Sequence, residues 1–142
     1  MQNSCMRCWK AFCDRSKRKN TLGFQAEKRV VREYYAALDN AELEEITAVL
    51  KQYTVADYTW RAFHPFNLQT SAEVVSNLFW QPFRNAVRHI QRRIDVFFAG
   101  NNFVDDYGSV WVCSMGHLMG LFDAPWLGIQ PTGKMIMLRY AE

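Results

Sequence analysis

Apolar residues recur along this chain first at helical and then at strand spacing. From Glu27 to Leu38 (EKRVVREYYAAL), Val30, Tyr34, Ala37 and Leu38 fall on one side of a helix, with Lys28, Arg29, Arg32 and Glu33 mostly opposite. A second helix is expected from about Glu42, where Leu43, Ile46, Val49 and Leu50 form a stripe, and Asp39-Asn40 supplies turn and cap chemistry before it. Glu42, Glu44 and Glu45 then sit in its first turn, where carboxylates suit the positive end of the helix dipole. Tyr58 to Phe63 (YTWRAF) reads as a short strand with Tyr58, Trp60 and Ala62 on one face. His64-Pro65 stops it, because proline has no N–H to give a ladder. Thr70-Ser-Ala-Glu73 has the form of a capping box and opens a third helix through Val74, Val75, Leu78 and Phe79, which Pro82 kinks or ends.

The period then changes. In Gln91 to Phe98 (QRRIDVFF), alternation puts Arg92, Ile94, Val96 and Phe98 on one face of a strand. Asn101 to Gly108 is turn-rich, and Ser109 to Gly120 (SVWVCSMGHLMG) is a long β run in which Trp111, Cys113, Met115, His117 and Met119 point one way. Lys134 to Ala141 closes the series, with Ile136, Leu138 and Tyr140 on one side. Helices first and strands later, joined by short turns, predict an α+β fold with an antiparallel sheet. Such a sheet, strongly curved and packed on three helices, makes a cone-shaped α+β barrel whose mouth suits a small apolar ligand.

Composition narrows the function classes. The 142 residues are 49% hydrophobic and include five Trp and ten Phe, enough for one domain with a substantial core and for a pocket lining. The net charge of +3 is unevenly spread, because six basic residues and Asp14 leave residues 1–24 at +5 and the remainder at −2. That basic, Cys-containing leader is expected to be poorly ordered, and the mildly acidic body lacks the footprint of a nucleic-acid binder. Cys5-x-x-Cys8 resembles half of a zinc site, but tetrahedral zinc wants four ligands and no second CxxC or HxxxH accompanies it, so no metal is expected. The leader lacks the continuous apolar core of a signal peptide, and no run of about 18 apolar residues exists to span a membrane. A cytoplasmic, reduced protein is the expectation.

The element order, with Ser114-Met-Gly-His-Leu-Met-Gly120, Leu127-Gly-Ile-Gln-Pro-Thr-Gly-Lys134 and Ala56-Asp-Tyr-Thr-Trp-Arg61, resembles the SnoaL-like polyketide cyclases of the nuclear transport factor 2-like superfamily. The resemblance covers about Glu27 to Glu142, with Phe122 to Leu127 inserted between the two glycine motifs. It implies a domain over 25–142 that binds a small apolar carbonyl compound and is related to enzymes of cofactor-free aldol chemistry. It also implies dimerisation through the sheet. The family's general acid/base aspartate belongs to a strand after the last one here, so no catalytic residue is assigned, and the final strand and helix are expected beyond Glu142. A non-catalytic ligand-binding or dimerisation module on the same fold is the alternative.

The candidate pocket residues are Trp60, His64, Trp80, His117, Trp126 and Tyr140. Trp60 stands where the resemblance implies an asparagine, and it offers only an N–H donor. His117 matches the family's histidine as pocket wall or electrophile, unless a backbone carbonyl satisfies it. His64 either meets a ligand carbonyl at the mouth or caps its own loop. Asp123 and Asp57 read as turn or cap residues, and His89 as a helix C-terminal residue. Trp80 and Trp126 carry donors that want partners, and Trp126 either closes the pocket or folds back and plugs it.

Overall fold

In the computed structural model, residues 23–104 and 109–142 are described. The leader cysteines and the Asp105-Asp106 turn lie outside these residues. Helix α1, Gln25–Asn40, buries Tyr35 and Leu38 and leaves Val30 half exposed to solvent. Its inward stripe is therefore Val31, Tyr34, Tyr35 and Leu38, which keeps Tyr34 and Leu38 of the expected stripe and takes Val31 and Tyr35 in place of Val30 and Ala37. A capping box between Glu42 and Glu45 starts a 3-10 turn, Leu43–Glu45, that runs into α2, Ile46–Tyr53, where Ile46 and Leu50 are fully buried.

Strands β1, Thr59–Arg61, and β2, Leu68–Thr70, form a small antiparallel hairpin around His64-Pro65. Three residues are too few to show a period, so β2 was not legible in the sequence. A long helical stretch follows as α3 (Ala72–Val75), a π segment (Ser76–Trp80) and α4 (Gln81–Ala86). Its cap is Ser71, not Thr70, since the Ser71 hydroxyl accepts the Val74 N–H at 3.4 Å. Pro82 lies in the first turn after the π segment, where a missing N–H is accommodated, and the helix continues past it. Arg84 donates to the Leu38, Asp39 and Ala41 carbonyls at the end of α1, satisfying acceptors that the helix itself cannot.

Strands β3 (Val87–Asn101), β4 (Val110–Phe122) and β5 (Met135–Ala141) make an antiparallel sheet in the order β3-β4-β5. The fold is α+β, as the spacing predicts. Helices α1 and α4 pack on β3, so the sheet has one covered face. The covered face carries Val87 and Ala99 of β3, Ser114, Leu118 and Phe122 of β4, and Ile136, Leu138 and Tyr140 of β5. Together with Ile46, Leu50, Val75, Trp80 and Phe83 they form the core.

Two irregularities in β3 correct the expected strand. The first lies between Arg88 and Gln91, where His89 has φ 52°, so His89 belongs to a bulged strand and not to a helix end. The second, between Ile94 and Val96, adds Asp95 to the ladder. Arg92 pairs opposite Leu118 and faces the core, whereas Val96 and Phe98 pair opposite Met115 and Cys113 and face outward. A bulge shifts the alternation by one residue, so these positions do not share a face. Gly116 makes this possible, because a Cβ there would lie 1.9 Å from the Arg93 carbonyl oxygen.

Candidate functional site

The structure brings three of the six expected pocket residues into one aromatic cluster. Trp60, Trp80 and Trp126 gather around Phe66, Phe79 and Phe83, with Phe79 5.1 Å from Trp60 and 5.0 Å from Trp80 between ring centres. Trp126 points inward, stacking on Phe66 at 6.2 Å and packing on Phe83 at 5.2 Å. Its backbone pairs in both directions with Ile129 across Leu127 (φ 52°) and Gly128 (φ 76°), a tight turn with two left-handed residues. Trp126 is therefore a plug rather than a lip, and its indole N–H is buried without a partner.

Tyr140 also faces inward, beside a group that the sequence reading did not nominate. The Arg92 side chain is 3% exposed and packs over the rings of Tyr35 at 4.0 Å, Tyr140 at 5.0 Å and Trp80 at 6.0 Å. Its Nε and Nη2 donate to both oxygens of Asp39 at 3.0 to 3.3 Å. Its Nη1 has no hydrogen-bond partner, and the Glu142 carboxylate stands 3.7 Å away. The Ser114 and Tyr140 hydroxyls are 3.1 Å apart, and the backbone of Glu142 pairs with that of Ser114, which extends β5 by one residue and brings the Glu142 carboxylate into the cluster.

Electrostatics follow from this burial. Desolvation lowers the Arg92 pKa, but the Asp39 hydrogen bonds and the charges of Glu142 and Asp39 outweigh it, so the guanidinium stays charged. Burial and then the Glu142 charge push the Tyr34 and Tyr35 hydroxyls up. The same two causes push Tyr58 up to about 12. The cluster thus holds one cation, two carboxylates and several tyrosine hydroxyls that remain donors at neutral pH. Arg92 in an otherwise apolar register was the one available sequence signal for it. The Asp39 and Tyr35 partnership arises only when α1 packs on β3.

Comparison of the chain with protein-family models, with curated proteins and with solved structures returns no match.

The two histidines lie elsewhere. His64 is exposed in the β1–β2 loop. His117 is on the outer face of β4, where its Nδ1 meets Asp95 Oδ2 at 2.8 Å, while Asp95 Oδ1 accepts from Arg93 Nε at 2.8 Å. Neither histidine faces the inner cluster, because His117 has the odd parity of β4 and the core side has the even one. Asp123 follows β4, its N–H donating to the Ala86 carbonyl, and its carboxylate pairs with Arg88 at 3.0 Å rather than bonding the backbone of its own turn.

The outer face is mostly apolar. Phe98, Trp111, Met115, Met135 and Met137 are all exposed there, Trp111 and Met137 at 61%. A shallow groove of about 340 Å³ between α1 and α2, lined by Ala37, Ala41, Ala48 and Val49 among others, contains none of the expected pocket residues. Among the described residues no group of His, Cys, Asp and Glu side chains is arranged to hold a metal ion. No described helix is long and apolar enough to cross a membrane.

Proposed function

We propose that this chain adopts the nuclear transport factor 2-like cone, of SnoaL-like type, and works as a non-catalytic assembly module in which two copies meet through the outer face of β3, β4 and β5. The observation that carries this is the set of large apolar side chains exposed on the outer face, Phe98, Trp111 and Met115 on one side of the Arg93–His117–Arg139 row and Met135 and Met137 on the other. A patch of large side chains on a sheet face marks an interaction site, since water contact with it costs about 25 cal/mol per Å². The inward Trp126 favours assembly over turnover, because it fills space that a substrate would need. Sedimentation velocity over a rising concentration series tests the reading. A dimer that accumulates with concentration is expected, and a monomer throughout refutes it.

A second reading has its own observation. The unpartnered Arg92 Nη1–H, framed by aromatic rings, is a donor suited to the carbonyl oxygen of a small apolar compound, the ligand class that the family resemblance implies. Titration of tryptophan fluorescence with a cyclic ketone and with its carbonyl-free hydrocarbon checks this. Saturable quenching by the ketone alone is expected, and equal responses or none exclude it.

A further inference from the structure

Residues 125–132 form a lobe that is pinched at its base and held to the body by one side chain. At the base, the Gly133 N–H donates to the Phe122 carbonyl and the Phe122 N–H to the Lys134 carbonyl, each at 3.0 Å. Inside the lobe, Trp126 and Ile129 exchange backbone hydrogen bonds at 3.1 and 2.9 Å across Leu127 and Gly128, so the tip is a unit of its own. Among the described residues no hydrogen bond joins residues 125–132 to a helix, to the β1–β2 hairpin or to the sheet. Every residue of the lobe is exposed except Trp126.

The seat of Trp126 is made of other rings. Phe66 of the β1–β2 loop, Phe79 of the π segment and Phe83 of α4 stand 6.2, 6.1 and 5.2 Å from it between centres. The seat offers no polar partner, since the indole N–H is buried there without an acceptor. Such a donor is costly to bury, and water satisfies it when the side chain leaves. The indole can therefore depart without breaking a hydrogen bond, and what opposes departure is the lost burial of its rings. A compound of the same shape restores that burial. Trp60 and Phe79 are only partly buried, so the seat lies near the surface.

We propose that the Trp126 seat is a binding site for a flat, fused two-ring aromatic compound, with Trp126 as its built-in competitor. The ligand displaces the indole, and the lobe swings out about its base. The ligand class follows from the walls: the seat has the width of an indole, aromatic sides and no acceptor, so a two-ring hydrocarbon suits it better than indole itself. Trp126 belongs to the stretch 122–127 inserted between the two glycine motifs, so the plug is a feature of this chain and not of the resemblance. The site needs neither the outer face nor the Arg92 donor, and it stands or falls apart from both readings above.

Indene, which has the shape of indole without its N–H, is the probe. NMR of the indole N–H signals of the full-length wild type reads the displacement, with the Trp126 signal assigned by its loss in Trp126→Phe. Saturating indene should move that signal to the position of a water-exposed indole and speed its exchange with solvent, while the signal of Trp111 on the outer face stays in place. Trp126→Ala removes the competitor and should bind indene at least about tenfold more tightly than the wild type does. No binding of indene, or a Trp126 signal unmoved at saturation, overturns the inference, as does equal affinity in the wild type and a folded Trp126→Ala. Indole binding to Trp126→Ala more tightly than indene would reveal an acceptor in the seat and overturn the ligand class. Circular dichroism shows whether Trp126→Ala keeps its fold, and if it does not, the wild-type signal decides alone.

Discussion

The two faces of one sheet are built in opposite ways. The inner face carries a buried arginine held by an aspartate and ringed by Tyr35, Tyr140 and Trp80. The outer face leaves Phe98, Trp111, Met115, Met135 and Met137 in water. Simple burial arguments would predict the reverse, with charge outside and apolar side chains inside. The inner charge persists because it is almost fully hydrogen-bonded, and breaking such a pair from one side costs more than the pair contributes. Among the described residues nothing covers the outer apolar side chains, which is the observation behind the proposed assembly.

The contrast between the faces depends first on the Asp95 bulge, and the largest effect is expected there. Gly116→Ala places a methyl against the Arg93 carbonyl, so the strand must shift or the bulge must be lost, and a destabilisation of about 3 kcal/mol or more is expected in urea unfolding. Unchanged stability would show that the bulge tolerates a side chain. Next, Arg92→Met removes the guanidinium and leaves Asp39 with no partner for either oxygen, for an expected loss of about 3 kcal/mol. Adding Asp39→Leu should recover much of that loss, and the comparison of single and double variants by denaturant midpoint measures it. If Arg92→Met alone were neutral, the inner cluster would not be the fixed point that its hydrogen bonds suggest.

On the outer face the same logic predicts a separation of stability from association. Met137→Lys replaces a side chain that is 61% exposed, so unfolding should change by no more than about 0.5 kcal/mol while sedimentation shows a weaker dimer. A stability loss without a change in association would mean that Met137 packs within its own chain. The smallest effect is alkaline. Tyr58 is pushed up to about 12 by burial and by Glu142, above its ordinary value of 10.0, so the folded chain retains a proton that the unfolded chain releases. The stability this contributes is complete below pH 10 and is lost as pH rises towards 12. Tyr58→Phe should flatten that fall, read from thermal midpoints across the range, and an identical slope in both proteins would remove Tyr58 from the cause.

Much of the element order was legible because burial of one face leaves a period in the sequence. The stripe of α2 through Ile46 and Leu50, the alternation of β4 and the inward Ile136, Leu138 and Tyr140 of β5 all lie where spacing placed them. Spacing failed where the backbone departs from its period. The inward face of α1 keeps Tyr34 and Leu38 of its apparent stripe but takes Val31 and Tyr35 in place of Val30 and Ala37, and β2 is too short to carry a pattern. The bulge at Asp95 moves Val96 and Phe98 away from the face of Arg92. The candidate residues divide in the same way. The three tryptophans converge because large aromatic side chains from separate elements meet in a core, while His117 points outward because strand parity, not chemistry, sets its side.

The sequence by itself determined the α+β class, the number and order of the main helices and strands, and the aromatic weight of the core, since local periodicity and turn chemistry depend on near neighbours alone. Tertiary structure decided which charge is buried, which histidine faces water, and whether Trp126 opens or fills the interior. Those outcomes depend on the pairing of Arg92 with an aspartate 53 positions away and on one extra residue in a ladder. Both are properties of register between distant segments, which no stretch of contiguous sequence contains.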